Sequence, residues 1–330
     1  MDFSFYPLRF HFTVRDAVYF PPDKAANVLR GALGTVFRRF ACPPECPGAR
    51  SCDARASCPY ARLFEPTPVQ AGPSGFADWP RPFVFRARHL DGLTLGSGSS
   101  FHFDLNLFTC DGPALAYFVL AFAEIAQQGL GPRRGALTLD RVVLSGAGGS
   151  ARVTVYAERA LQLEAAPEPV TLRLDEAPDE ATGIRVHFLT PTELKSGQAL
   201  ASTPEFPILL ARIRDRISTL RGIYGAGPLE IDFRAFTQRA SEVQLAAADI
   251  RSVKVSRFST RSSQTHSLGG FVGSVDYRGD ITPFITYLRV ARFTGVGRHT
   301  VWGKGEIDTE ILAPGGLSEL GRNAHGRPRW

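Results

Sequence analysis

Residues 269–307 read GGFVGSVDYRGDITPFITYLRVARFTGVGRHTVWGKGEI, and this stretch decides the fold. Gly270–Tyr277 reads as a strand, and Asp280 caps a helix over Ile281–Phe293. A glycine-rich loop opens at Gly295, and Val301–Asp308 reads as a closing strand. Upstream, Gly183–Leu189 is a strand, Phe206–Leu220 a helix preceded by Pro204, and Ser252–Phe258 a second strand. The order is β-α-β-β-α-β.

The first half repeats that order. Ser4–Val14 is aromatic and β-branched, hence a strand. Asp23 is expected to cap KAANVLRGALGTVFRRF, where Val28, Leu29, Leu33, Val36, Phe37 and Phe40 recur at helical spacing. Pro82–Arg88 and Ser100–Phe108 are strands, the latter alternating Phe101, Phe103, Leu105 and Leu107 against His102, Asp104 and Asn106. Asp111 starts an apolar helix over 113–128, and Ala136–Leu144 closes the unit. Two βαββαβ units in tandem predict an α+β protein of two ferredoxin-like, RRM-like domains, each an antiparallel sheet with helices on one face. The expected division is 1–145 with a Cys-rich insertion at 42–80, then a junction at 146–182. The second domain spans 183–310, and a Gly-, Arg- and Pro-rich tail at 311–330 is expected to be flexible. Val153–Tyr156 and Val170–Leu174 are expected to pair as a hairpin within the junction.

Composition agrees with a globular chain of this length: 44% hydrophobic and 21% charged, which excludes a disordered or fibrous protein. The net charge is +6, and from Arg251 onward 12 basic residues face 6 acidic ones, so the excess lies in the closing part of the second unit. Only Lys24, Lys195, Lys254 and Lys304 among the 38 basic residues are Lys. Arg presents a planar fork that suits phosphate; codon bias in a GC-rich genome accounts for the preference equally well. MDFSFYPLRF lacks a basic segment followed by an apolar one, so no signal peptide is expected. The apolar run Pro113–Ala126 contains Glu124 and falls short of the roughly 20 residues a bilayer needs. The expectation is a soluble cytoplasmic protein without a membrane partner.

Three stretches could carry chemistry. In Gly295-Val-Gly-Arg-His-Thr-Val-Trp-Gly-Lys-Gly305 the glycines and Arg298, His299 and Lys304 suit close approach to phosphates, although the loop is neither a Rossmann fingerprint nor a P-loop. A tight turn without ligand is the alternative. Residues 257–270 bring Arg257, Arg261, Ser262, Gln264 and His266 to a strand connection, where they could reach phosphates, 2′-hydroxyls and base edges; a solvated hairpin tip is the alternative. Cys42, Cys46, Cys52 and Cys58, spaced C-x3-C-x5-C-x5-C, suit a structural tetrahedral zinc, and a reduced loop with incidental thiols is the alternative. Four Cys ligands leave no open position for catalysis.

Residues 269–307 resemble the C-terminal signature of the CRISPR-associated RAMP proteins that process precursor CRISPR RNA. The resemblance lies in the GGFVG strand, the acidic helix start followed by Pro283-Phe284, and the terminal glycine-rich loop. It continues in Phe188-Leu-Thr-Pro-Thr-Glu-Leu-Lys195, in Arg257-Phe-Ser-Thr-Arg-Ser262, and in three N-terminal pieces. These are Leu29–Gly34, the segment Cys58–Pro66, and Gly129-Leu-Gly131 with Arg133-Arg134-Gly135. The resemblance spans about residues 5–308 and implies tandem ferredoxin-like domains that bind a CRISPR repeat RNA and cut one phosphodiester.

In such a reaction the 2′-hydroxyl attacks the phosphate, the 5′-oxygen leaves, and a 2′,3′-cyclic phosphate forms. The protein supplies a base, an acid and cationic stabilisation, with no cofactor. Family members often place a His on or after the first helix; residues 23–41 and the Cys segment contain none, and His11 reads as a strand residue. The catalytic candidates are therefore His266 and His299 with Arg30, Arg38 and Tyr19, Lys24 standing nearby in sequence. The RNA-binding candidates are Arg257, Arg261, Ser262, Gln264, Gly295, Gly297, Arg298 and Lys304. The expected partners are repeat RNA and other CRISPR effector subunits; a non-catalytic RNA-binding RAMP subunit is the alternative reading.

Overall fold

The first strand, Asp2–Val14 (β1), changes its inward face at Pro7. Phe3 and Phe5 point into one core, while Leu8, Phe10, Phe12 and Val14 point into another. That switch ties two domains together in a computed structural model that describes residues 1–43, 45–48, 51–66, 79–109, 113–162, 167–176, 178–197, 199–259 and 264–313.

In the first domain β1 is followed by Ala25–Ala41 (α1), Pro59–Phe64 (α2), Phe83–Arg86 (β2), Ser100–Leu107 (β3), Pro113–Gln128 (α3) and Leu137–Ser145 (β4). Ala151–Ala157 (β5) extends the sheet, and Val170–Arg173 (β6) pairs with Asp2–Phe5 of β1. The strands lie in the order β2-β3-β1-β4-β5, antiparallel throughout, as the alternation of the sequence demands. One face is closed by α1 and α3, with Leu29, Leu33 and Phe37 of α1 fully buried among the rings of Phe10, Phe103, Phe118 and Phe122. Each such side chain contributes about 1.5–3 kcal/mol by leaving water.

The second domain runs Gly183–Thr192 (β7), Phe206–Tyr224 (α4), Phe233–Ser241 (α5), Gln244–Val253 (β8), Ser256–Ser259 (β9), Gln264–Ser267 (β10), Gly270–Arg278 (β11), Ile285–Thr294 (α6) and Ile307–Ile311 (β12). Its sheet order is β8-β11-β7-β12, the same permutation as in the first domain. The protein is thus a tandem ferredoxin-like α+β fold, and the Cys-bearing segment after α1 is inserted into the first unit.

Several local expectations are corrected. Asp23 does not cap α1: its φ is +56°, and the Ala25 N–H is received by Asp91 Oδ1 at 2.8 Å, a partner 66 residues away. Asp280 does accept from the Thr282 N–H, at 3.2 Å, ahead of a short 3-10 turn leading into α6. The expected strand 252–258 divides: β8 ends at Val253, and β9 leaves the sheet to pair with β10. The hairpin expected between 153–156 and 170–174 does not form, because β5 finds an open edge on β4 and β6 finds β1. Residues 300–302 are a 3-10 turn and not the start of the last strand. Helix α5, capped by Asp232 through the Arg234 and Ala235 amides, was not anticipated. Asp111 and most of the tail lie outside the described residues. Among the described residues no helix is long and apolar enough to cross a membrane.

Candidate active site at the domain seam

The glycine loop does not stand in solvent; it docks on the start of α1. Two glycines make the docking possible. Gly297, at φ +76°, presses against β7, where a Cβ would stand 2.3 Å from the Glu193 carbonyl oxygen. Gly303, at φ +75°, meets α1, where a Cβ would come within 2.5 Å of the Ala26 methyl. No side chain fits either gap. Between them the 3-10 turn Thr300–Trp302 sends Val301 into the first domain's core.

Lys304 completes the contact. Its Nζ donates to the Asp23 carbonyl at 2.8 Å, and only 3% of the residue is exposed. Burial lowers the pKa of the ammonium, and Asp23 and Asp91 raise it. Burial in turn raises the Asp91 carboxyl, against the Ala25 amide and Lys304, which lower it. Lys304 is therefore placed as a clamp between the domains, turned to a backbone carbonyl and away from solvent. Its ammonium donates to a backbone carbonyl that the left-handed Asp23 turns toward it.

Trp302 is the centre of the seam. The Arg30 guanidinium of α1 lies 5.6 Å from its ring centroid and the Arg81 guanidinium 5.7 Å. The His299 ring lies 5.6 Å away on the loop side. Arg30 also faces Phe64, at 5.9 Å. A titratable imidazole and a permanent cation from opposite domains thus meet on one indole. His299 is held at φ +64° as the residue preceding the 3-10 turn. Arg298 beside it is about half exposed and pairs with Glu193.

The other candidates are dispersed. Tyr19 is half-buried and pairs through its backbone with Thr94. Arg38 is exposed at the far end of α1, where it donates to the Cys46 carbonyl at 3.1 Å. Arg257 and His266 are opposite each other in the β9–β10 hairpin, which also carries the exposed Gln264; Arg261 and Ser262 lie outside the described residues. Gly295 is buried beneath the loop, so its close approach is to the chain itself. Trp302 and Arg81 were missed as site residues. Neither carries a chemical signature in sequence, and Arg81 reaches the seam only because β2 lies at the sheet edge that the loop contacts.

The four-Cys zinc expectation is not supported. Cys42 hydrogen-bonds with Cys46 and Cys58, and Cys46 with Cys52 and the Gly48 backbone. Burial, with the Cys46 contact, pushes the Cys42 thiol up to about 12, while the Gly48 amide lowers Cys46. Among the described residues no group of three or more His, Cys, Asp or Glu is disposed to hold a metal.

Beside the seam, a cleft between the two sheets encloses about 300 Å³. Arg9 is bidentate to Asp104 at 2.6 and 2.9 Å, Arg88 reaches Glu306 at 3.2 Å, and Arg292 reaches Asp308 at 2.7 Å. Arg86 and Asn106 donate to the last carbonyls of α6, and Arg216 to Thr294 O, so three side chains close the negative end of that helix.

Residues 3–168 match the AF_1859_N family model, described as an N-terminal domain, and residues 186–307 match that of the CRISPR-associated endoribonuclease Cas6. The second domain is thus similar to the CRISPR-associated endoribonuclease Cas6 family over residues 186–307. Among solved structures it is similar to a Cas6 product complex, with 16% identity, a TM-score of 0.54, and coverage of 93% of this chain and 99% of the other. Thermus thermophilus Cas6 aligns with 15% identity, a TM-score of 0.51 and the same coverage. A partial Cas6-RT-Cas1–Cas2 complex aligns with 12% identity and a TM-score of 0.52, over 94% of this chain and 46% of that longer one. At these identities the likeness is one of fold. No curated protein matches the chain.

Proposed function

We propose that this chain binds the repeat of precursor CRISPR RNA and cleaves it by attack of a 2′-hydroxyl on the adjacent phosphate. The bond from the 2′-oxygen to phosphorus forms, the bond from phosphorus to the 5′-oxygen breaks, and the products carry a 2′,3′-cyclic phosphate and a 5′-hydroxyl. The observation that carries the reading is the meeting of His299 and Arg30 on Trp302 across the domain seam. His299 exchanges the proton, since imidazole titrates near neutrality. Arg30 stays protonated and offsets charge growing on the phosphorane. Arg298, with Arg257, Arg261, Ser262 and Gln264 of the hairpin, holds the RNA by phosphate and sugar contacts. Tyr19, Arg38 and His266 are further candidates that the seam does not gather. The side chains provide acid, base and cation, so the reaction is proposed to need no metal. One solved relative is a product complex, and we extend product retention to this chain, with hand-over to effector subunits in the cytoplasm.

The test is incubation of excess protein with repeat RNA in EDTA. The expected product ends in a cyclic phosphate, and His299→Ala slows cleavage by about a hundredfold or more. An unchanged rate in His299→Ala and a loss in His266→Ala would move the chemistry to the hairpin. Tight binding without cleavage at any protein excess would make the chain a non-catalytic RNA-binding subunit.

A further inference from the structure

The open face of the first sheet, away from α1 and α3, carries a row of rings that the seam does not use. His11 on β1 stands opposite His102 on β3 in register, with ring centroids 6.0 Å apart. His89, three residues after β2, stacks on His102 at 4.7 Å and 28°, held by a 2.9 Å contact from its Nε2 to the His102 carbonyl oxygen. On the other side Arg141 of β4 is the cross-strand neighbour of His11. Arg141 is exposed and has no carboxylate partner among the described residues. The row therefore crosses the sheet as Arg141, His11, His102, His89. Burial lowers the pKa of both His11 and His102, and Arg141 acts on His11 and Arg9 on His102 in the same sense.

We infer that this row is a base-stacking platform for single-stranded RNA. The inference rests on the RNA-processing reading above and names a second contact surface for that substrate. Two rings side by side on adjacent inner strands, β1 and β3, of a ferredoxin-like sheet can each take the face of an unpaired base, and imidazole serves as such a face. Such stacking is tolerant of sequence and works beside cations that follow the backbone. Cations flank the row. Arg141 flanks the row, Arg15 lies four residues beyond His11 on the exit of β1, and Arg88 adjoins His89. Of the nearby carboxylates, Asp104 is neutralised by Arg9 and Glu306 pairs with Arg88, while Asp140 accepts from Thr13, so Arg141 and Arg15 are the cations left for a backbone. The position also fits the substrate's path. Gly303 of the docked loop packs beside Phe85 of β2, and a Cβ on Gly295 would lie 3.6 Å from Arg86 of the same strand. An RNA with its scissile phosphate at Trp302 would therefore leave over the β2 edge and meet His89 first, then His102 and His11.

The experiment uses the full chain and a 2′-deoxy-blocked, non-cleavable single strand with 2-aminopurine at successive positions. Stacking on the row quenches 2-aminopurine in the wild type. His11→Ala with His102→Ala is expected to abolish the quench at one or two positions and weaken binding about tenfold. His11→Phe with His102→Phe keeps both, which separates stacking from hydrogen bonding. Undiminished quench and affinity in the Ala pair overturn the platform, as does an equal loss in the Phe pair when its circular dichroism matches the wild type. Cleavage of repeat RNA by the wild type is scored separately. Cleavage without quench removes the platform and leaves the enzyme; quench without cleavage does the reverse.

Discussion

Two histidines show how a single residue's surroundings set its behaviour. His11 and His102 are partly buried on the open sheet face, among Arg9, Arg141, His89 and Asp104. Desolvation and the arginines hold both below the ordinary imidazole value, and Asp104 raises them only in part. As pH falls through about 6.5 the unfolded chain therefore takes up protons before the folded one, and stability is lost over that window until the folded pKa values are reached. The expected outcome is a urea midpoint that drops from pH 7.5 to 5.5 by more in the wild type than in His11→Gln with His102→Gln. An equal drop in both would place the acid sensitivity elsewhere. At this scale the sequence was legible for residue type and not for partner. Alternation put His102 on the polar face of its strand, but its neighbours come from elsewhere, His11 from β1 and His89 from the turn after β2. Lys304 makes the same point in reverse. It read as a cation for phosphate, and a carbonyl 281 residues away accepts its hydrogen bond.

Elements were read well where one periodicity runs uninterrupted. Helix α1 and strands β1 and β3 show their buried faces directly in sequence, because the apolar residues recur at 3.6 or 2.0. The misses fall where an element's end depends on a distant partner. α1 begins where Asp91 receives the Ala25 amide, and no local residue signals that. The glycine loop was legible as a loop, yet its docking on α1 depends on the missing Cβ of Gly303. Gly303→Val forces that contact apart and should cost about 1–3 kcal/mol. The same protein should lose cleavage, since Trp302 then no longer holds His299 near Arg30. Gly148→Ala, where a Cβ meets nothing within 4 Å and φ is not positive, serves as the control and should leave the thermal midpoint in place. Equal midpoints for the two variants would show that the loop does not bear on α1.

In the whole molecule each domain lends side chains to the other's core. Phe3 and Phe5 enter the second core from β1, and Val301 enters the first from the glycine loop. Phe5 lies 4.6 Å from Phe293 at the end of α6, beside the carbonyls that accept from Arg86 and Asn106. Phe5→Ala should therefore cost about 3–5 kcal/mol and speed hydrogen exchange of the α6 amides, although the change is made in the first strand of the chain. Faster exchange confined to the first sheet would contradict the shared core. By itself the sequence determined the two βαββαβ units, the inward faces of their main helices and strands, and the RAMP resemblance, because periodicity, turn residues and motifs are local properties. Only the tertiary structure decided which cations are exposed, which candidate residues meet, and where the loop rests. Those depend on contacts between residues far apart in the chain, and one missing methyl group or one distant carbonyl settles each.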